Sequence, residues 1–205
     1  MAGIQRLVFA SANAGKAREI QAMLGQDVEL LLQGELAIGS IEETGATFAE
    51  NALIKARHAA LESGLPAVAD DSGLEVDFLG GAPGIHSARY AGNDASDQAN
   101  LDKLLAELDG VPVAERGARF RCVLAFVRYG EDDEPIMVDA SWEGRIAQHA
   151  SGTGGFGYDP VFVDETAGCT SAQLTPAEKN SCSHRGKALQ QLREELRRFG
   201  LLNAA

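Results

Sequence analysis

Apolar runs and helical periodicity alternate along the first half of the chain. Arg6-Leu7-Val8-Phe9-Ala10 predicts a short buried strand. Ser11-Ala12-Asn13 offers N-cap side chains for a helix through Lys16, Glu19, Ile20 and Leu24, ending near Gly25. Val28 to Leu32 predicts a second strand. Thr47-Phe48-Ala49-Glu50 spells a capping box and opens a helix to about Ser63, stopped by Gly64-Leu65-Pro66. Ala67-Val68-Ala69 predicts a brief strand leading into Asp70-Asp71-Ser72-Gly73. Leu74 to Leu79 fits strand or loop, and Gly80-Gly81-Ala82-Pro83-Gly84 continues neither.

The second half reads differently. A helix is expected from about Asp97 to Leu108, then two longer strands, Arg119 to Tyr129 and Ile136 to Gln148, paired across the acidic turn at Gly130 to Pro135. Gly152 to Asp159 is a glycine-rich loop. Thr175-Pro176-Ala177-Glu178 starts another helix, with proline at its first position. The last helix runs from about Arg185 to Phe199. Early alternation followed by a hairpin predicts an α/β fold with a mixed central sheet flanked by helices.

The length of 205 residues fits one domain, taken as 1–205, or one core with two lobes. A hydrophobic share of 45% with 23% charged residues is ordinary for a soluble protein. No apolar run approaches the roughly 18 residues of a membrane span, and the N-terminus has no leader pattern, so no membrane association is expected. Cys122, Cys169 and Cys182 form no CxxC pair, and Cys122 lies in an apolar stretch where a buried thiol is expected. These features fit the reducing cytoplasm. A formal charge of -12 argues against nucleic acid as a partner. It leaves room for a small phosphate ligand held by local cations, backbone N–H groups and a metal.

Five segments carry candidate chemistry. Ser11-Ala12-Asn13-Ala14-Gly15-Lys16 stands at a strand-to-helix junction, where free N–H groups and the helix dipole favour phosphate. It is no Walker A loop, because Ala10 and Ala17 occupy the positions of its first glycine and its Ser or Thr. An ordinary capped helix with a solvated lysine would read the same way. Asp70-Asp71-Ser72-Gly73 places two repelling carboxylates side by side. A magnesium ion would relieve that repulsion, and one aspartate could accept a proton from water. An Asx turn with positive φ at Gly73 is the competing interpretation. Glu43 precedes the capped helix and could join the same metal. Asn51 and Lys55, four apart, share a helix face, and Lys55 could reach phosphate.

Gly152, Gly154 and Gly157 spell GxGxxG, but Tyr158-Asp159-Pro160 and an apolar run follow instead of a helix, which excludes a dinucleotide fingerprint. A glycine-rich loop presenting Phe156 suits stacking on a flat base; a tight turn with Phe156 and Tyr158 in the core is the alternative. Lys179 and Ser183-His184-Arg185-Gly186-Lys187 gather donors at a helix start. Cations are disfavoured there, which calls for an anionic or acceptor-rich partner.

Together these segments resemble the inosine triphosphate pyrophosphatases, also described as dITP/XTP pyrophosphatases, of bacterial type. The likeness covers nearly the whole chain. Its most specific pieces are Ala69-Asp70-Asp71-Ser72-Gly73-Leu74, the stretch from Gly80 to Tyr90, Gly154-Gly155-Phe156-Gly157-Tyr158-Asp159-Pro160 and Ser183-His184-Arg185-Gly186. The resemblance implies an elongated α/β fold with an active-site cleft between two lobes, a homodimer, and magnesium-dependent cleavage of ITP, dITP and XTP to monophosphate and pyrophosphate. It implies that Ser11, Ala12, Asn13, Ala14, Gly15 and Lys16 hold the triphosphate. Asp71 would accept the proton, Glu43 with Asp71 would engage the metal, and Ser72 would contact substrate. Phe156, Gly157, Tyr158, Asp159, Lys179, His184 and Arg185 would form the nucleoside side. Ser11-Ala12-Asn13 departs from the Thr-Gly-Asn of many members, so the backbone at Ala12 must tolerate a side chain. A Maf-like pyrophosphatase for modified pyrimidine nucleotides and a nucleotide-sensing module without turnover are the alternatives. The second has no use for Asp70-Asp71 beside Glu43.

Overall fold

The structure, a computed structural model, describes residues 5–11, 13–24 and 28–202. Ala12 and the expected end of the first helix at Gly25 lie outside them. The strands are β1 Arg6–Phe9, β2 Glu29–Leu32, β3 Ala67–Val76, β4 Gly117–Val127, β5 Ile136–Ile146, β6 Phe162–Asp164 and β7 Cys169–Thr170. The helices are α1 Ala14–Leu24, α2 Phe48–Ser63, α3 Asp97–Glu107, α4 Pro176–Cys182 and α5 His184–Arg198. The strands form one mixed sheet in the order β2-β1-β3-β4-β5-β6-β7. β1 runs parallel to both β2 and β3, which requires the two helical crossovers through α1 and α2. β6 is antiparallel to β5 and β7.

Local chemistry explains the helix ends. Thr47 Oγ1 accepts from the Glu50 N–H, and the Glu50 carboxylate accepts from the Thr47 and Ala46 N–H groups, closing a capping box on α2. Gly64 ends α2 in the left-handed region at φ 64°. Thr175 and Glu178 repeat the box at α4, with Pro176 in the first turn.

The chain divides into two compact units. The first comprises 1–71, 122–140 and 185–205, and the second 72–121 and 141–184. The first has a core that includes Leu7, Phe9, Ile20, Val68, Phe126 and Leu189. Cys122 lies fully buried in it, and burial pushes its thiol up to about 12. The second has its own core around Leu74, Leu104, Phe120, Trp142, Ile146 and Phe162.

One expectation is overturned. The Asp70-Asp71-Ser72-Gly73 segment is no turn: β3 runs unbroken through it, and Gly73 takes no positive φ. The two aspartates are therefore not side by side but on opposite faces of a strand. Adjacent acids and a glycine are poor strand formers in isolation, and the cations that meet each carboxylate make the strand possible.

Candidate active site

In the first unit, the parallel register sets the geometry. Phe9 pairs with Val68, and the Ala10 N–H donates to the Val68 carbonyl at 2.9 Å. The chain leaving β1 is thereby laid beside the segment of β3 that reaches Asp70. Asp70 and Val68 share the face toward α1 and α5. Lys16 Nζ meets Asp70 Oδ2 at 2.8 Å, and Arg185 Nη2 approaches the same oxygen at 3.5 Å. Arg185 Nη1 also holds Glu19 at 2.5 Å. Asp70 is 1% exposed and Arg185 3%. Burial opposes ionisation of Asp70, but Lys16 and Arg185 overcome it and hold the carboxyl well below the usual range.

The Ser11–Lys16 loop is organised from within. Asn13 Oδ1 accepts from the Gly15 and Lys16 N–H groups at 2.9 and 3.1 Å, and Ser11 Oγ accepts from the Asn13 N–H. The expectation of free N–H groups is thus corrected at Gly15 and Lys16: the Asn13 side chain caps them, as short polar residues do at helix starts. Ala14 opens α1.

On the other face of β3, Asp71 meets α2. Lys55 Nζ donates to Asp71 Oδ1 at 2.8 Å and to Glu43 Oε1 at 2.9 Å, so one ammonium is shared by two carboxylates. Asp71 Oδ2 is buried and has no hydrogen-bond partner among the described residues. Burial pushes the Asp71 carboxyl above its ordinary range; Glu43 adds to the rise, while Lys55 and Lys16 oppose it. Lys55 is raised, because Asp71, Asp70 and Glu43 together outweigh its own desolvation. The segment bearing Glu43 is pinned to α2 by fully buried Asn51, whose Oδ1 accepts from the Gly45 N–H at 2.8 Å. A Cβ at Gly45 would lie 2.7 Å from that oxygen, so the close approach requires glycine. The spacing of Asn51 and Lys55 signalled a shared helix face, but nothing in the sequence signalled the pin.

In the second unit, Asp159 organises the glycine-rich loop. It is 2% exposed and accepts from the Phe156 N–H at 2.8 Å, Ser171 Oγ at 2.7 Å and Lys179 Nζ at 2.6 Å. Asp97 of α3 accepts from the Gly157 N–H at 2.8 Å. Phe156 stays 37% exposed, with Lys179 Nζ 5.1 Å from its ring centroid. Tyr158 has its ring in the core, and its hydroxyl donates to the Ser87 carbonyl at 2.8 Å. The buried His184 ring stacks on Phe120 at 4.9 Å. Ser72 lies on β3 at the start of this unit.

Arg185, expected on the nucleoside side, belongs to the first unit. The anionic partner that its place at a helix start demanded exists, but it consists of Asp70 and Glu19 of the first unit. Lys16, Asp70, Asp71, Lys55, Glu43 and Arg185 are thus gathered in one unit, and Phe156, Asp159, Lys179 and His184 belong to the other. The contacts of Asn51, Asp97 and Ser87 carry no signal in the sequence.

The chain is similar to known proteins over nearly its whole length. The family model described as Ham1 family matches residues 7–195. A dITP/XTP pyrophosphatase of Methylococcus capsulatus is 58% identical over 194 residues, covering 94% of this chain and 96% of that protein. One of Escherichia coli O157:H7 is 54% identical over 195 residues, 95% and 99% of the two chains. The solved structure of a HAM1 protein from Coxiella burnetii superposes with a TM-score of 0.89 at 45% identity, covering 95% of this chain and all of that one. The chain belongs to the Ham1 family.

Proposed function

We propose that this chain hydrolyses nonstandard purine nucleoside triphosphates, namely ITP, dITP and XTP, to the monophosphate and pyrophosphate. The observation that carries this reading is the Asp71 carboxylate. One oxygen is fixed by the ammonium of Lys55, and the other is buried without a hydrogen-bond partner among the described residues. The names of the relatives at 54–58% identity support it.

In this mechanism the oxygen of a water attacks the α-phosphorus. The bond from that phosphorus to the bridging oxygen breaks, and pyrophosphate leaves with the bond electrons. Asp71, its affinity for protons raised by burial, orients the water and takes its proton. Ser11, Asn13 and Lys16 bind the phosphate chain, with Lys16 exchanging Asp70 for phosphate oxygens. Lys55 keeps Asp71 and Glu43 together.

The donor set fits a magnesium ion. Glu43 and Asp71 converge on one cation already, and magnesium typically takes one or two carboxylates with phosphate oxygens and waters. Among the described residues no cluster of three or more metal-ligating side chains exists, so this is no all-protein cage. When bound, the ion would neutralise charge on the phosphate oxygens.

Base choice is proposed for the second unit. The exposed Phe156 ring stacks on the purine, and His184 supplies a donor for a keto oxygen at position 6. ATP presents an amino donor there, leaving the site donor unpaired, a mismatch that can lower specificity by several orders of magnitude. We further propose that the chain works as a homodimer in the cytoplasm; sedimentation at twice the chain mass would support the first. The activity test is pyrophosphate release with magnesium and ITP, dITP, XTP or ATP. Rapid release from the first three is expected, and equal rates on ATP and ITP would refute the reading of base selection.

A further inference from the structure

Ser87 lies in the 3₁₀ segment Gly84–Arg89 and is 8% exposed. Its hydroxyl and its carbonyl are both used. Its Oγ donates to the Gly84 carbonyl at 2.6 Å and accepts from the Leu74 N–H at 2.9 Å. Its carbonyl accepts from Tyr158 Oη at 2.8 Å. The Leu74 N–H belongs to β3, two residues beyond Ser72, yet its partner is a side chain. Tyr158 stands two residues beyond Phe156 in a loop whose N–H groups are clamped by Asp159 and Asp97. The segment itself is held from α3, where Asn100 Nδ2 donates to the Ala88 carbonyl and Oδ1 accepts from the Ala91 N–H.

A buried hydrogen-bonded chain therefore runs from the Phe156 loop through Tyr158 and Ser87 to β3, all within the second unit. The tyrosine ring is rigid and packed in the core. The links of this path are buried, so a displacement of the loop is passed along it. β3 is also the strand that carries Asp71.

We propose that Ser87 and Tyr158 are positioning residues for base selection, tying the Phe156 loop to β3 so that the fit of the base governs turnover and not only binding. This rests on the proposed preference for ITP over ATP. The test compares kcat and KM for both nucleotides in the native protein, Tyr158→Phe, Ser87→Ala and the double variant, with thermal midpoints alongside. Loss of one hydrogen bond should lower the ITP-to-ATP preference about tenfold. The loss should lie in kcat for ITP, with ATP turnover little changed. The double variant should lose no more than either single one, since both cut one path.

A purely structural role would lower the thermal midpoint and slow both nucleotides alike. A preference in Tyr158→Phe within about twofold of the native value therefore overturns the proposal, as does a change confined to KM. If Ser87→Ala fails to fold, Tyr158→Phe, which keeps the ring, decides alone. A native protein indifferent between ITP and ATP overturns both the base reading and this coupling. A selective native protein with unaffected variants overturns the coupling only.

Discussion

Replacing Asp70 with asparagine tests the ionic anchor of the first unit. The native cluster balances two cations, Lys16 and Arg185, against two anions, Asp70 and Glu19. The amide keeps the shape and removes one negative charge. Arg185, 3% exposed, then faces Glu19 with half its neutralisation gone. Removing one partner of a buried pair costs roughly 3–5 kcal/mol. Lys16 can turn to solvent, so the lower figure of about 3 kcal/mol applies. At about 2–4 °C per kcal/mol for a chain of this size, the midpoint should fall by roughly 6–12 °C at pH 7. Differential scanning calorimetry from pH 3 to 7 reads it. The folded-state affinity of Asp70 for protons is depressed, so its contribution is present above the unfolded value of about 3.9 and fades as pH falls through the folded one. The difference between native protein and variant should therefore be flat above about pH 5 and shrink on acidification. A midpoint at pH 7 within about 2 °C of native would show that Asp70 is no anchor.

Asp71→Asn should lower kcat by about 10²–10⁴-fold and leave nucleotide affinity and the thermal midpoint intact. Its raised proton affinity means that the ionised form is penalised in the fold: its stabilising share exists below the unfolded value and is lost as pH rises through the folded one. The amide escapes that penalty, so a midpoint well below native at pH 7 would contradict it. In the native protein the acidic limb of the kcat profile should lie above the ordinary aspartate range, and an ordinary limb would remove Asp71 as proton acceptor. Gly155→Ala puts a Cβ 1.9 Å from Asp159 Oδ2 at φ 75°, which should cost about 1–3 kcal/mol of stability and raise KM for ITP. Denaturant titration with steady-state kinetics checks both, and an unchanged KM would show that the loop does not hold the base.

Local signals in the sequence are legible because their chemistry is local. The boxes at Thr47 and Thr175 need only four residues each, and the structure closes both. The Asp70-Asp71 segment could not be read so. Whether adjacent acids form a turn or a strand depends on Lys16, Lys55 and Arg185, which arrive from three different helices. The charge at the start of α5 gave half the answer: it demanded an anion but could not say that the anion lay within the chain. The use of the Tyr158 hydroxyl was invisible for the same reason, since Ser87 is distant in sequence.

The alternation of a strand turns one repeated residue into two roles. Asp70 faces α1 and α5, where two cations hold it ionised; Asp71 faces α2, where one ammonium is divided between it and Glu43. A single insertion before Asp71 would exchange the faces of every following residue. The two chemistries are therefore locked to one register, which the pairing of Phe9 with Val68 fixes. That register also brings Lys16 to Asp70, so the cation proposed to bind phosphate rests on a buried carboxylate. Loss of Asp70 frees that lysine and weakens the fold by the same stroke, whereas loss of the Asp71 charge leaves the Lys55 ammonium its contact with Glu43.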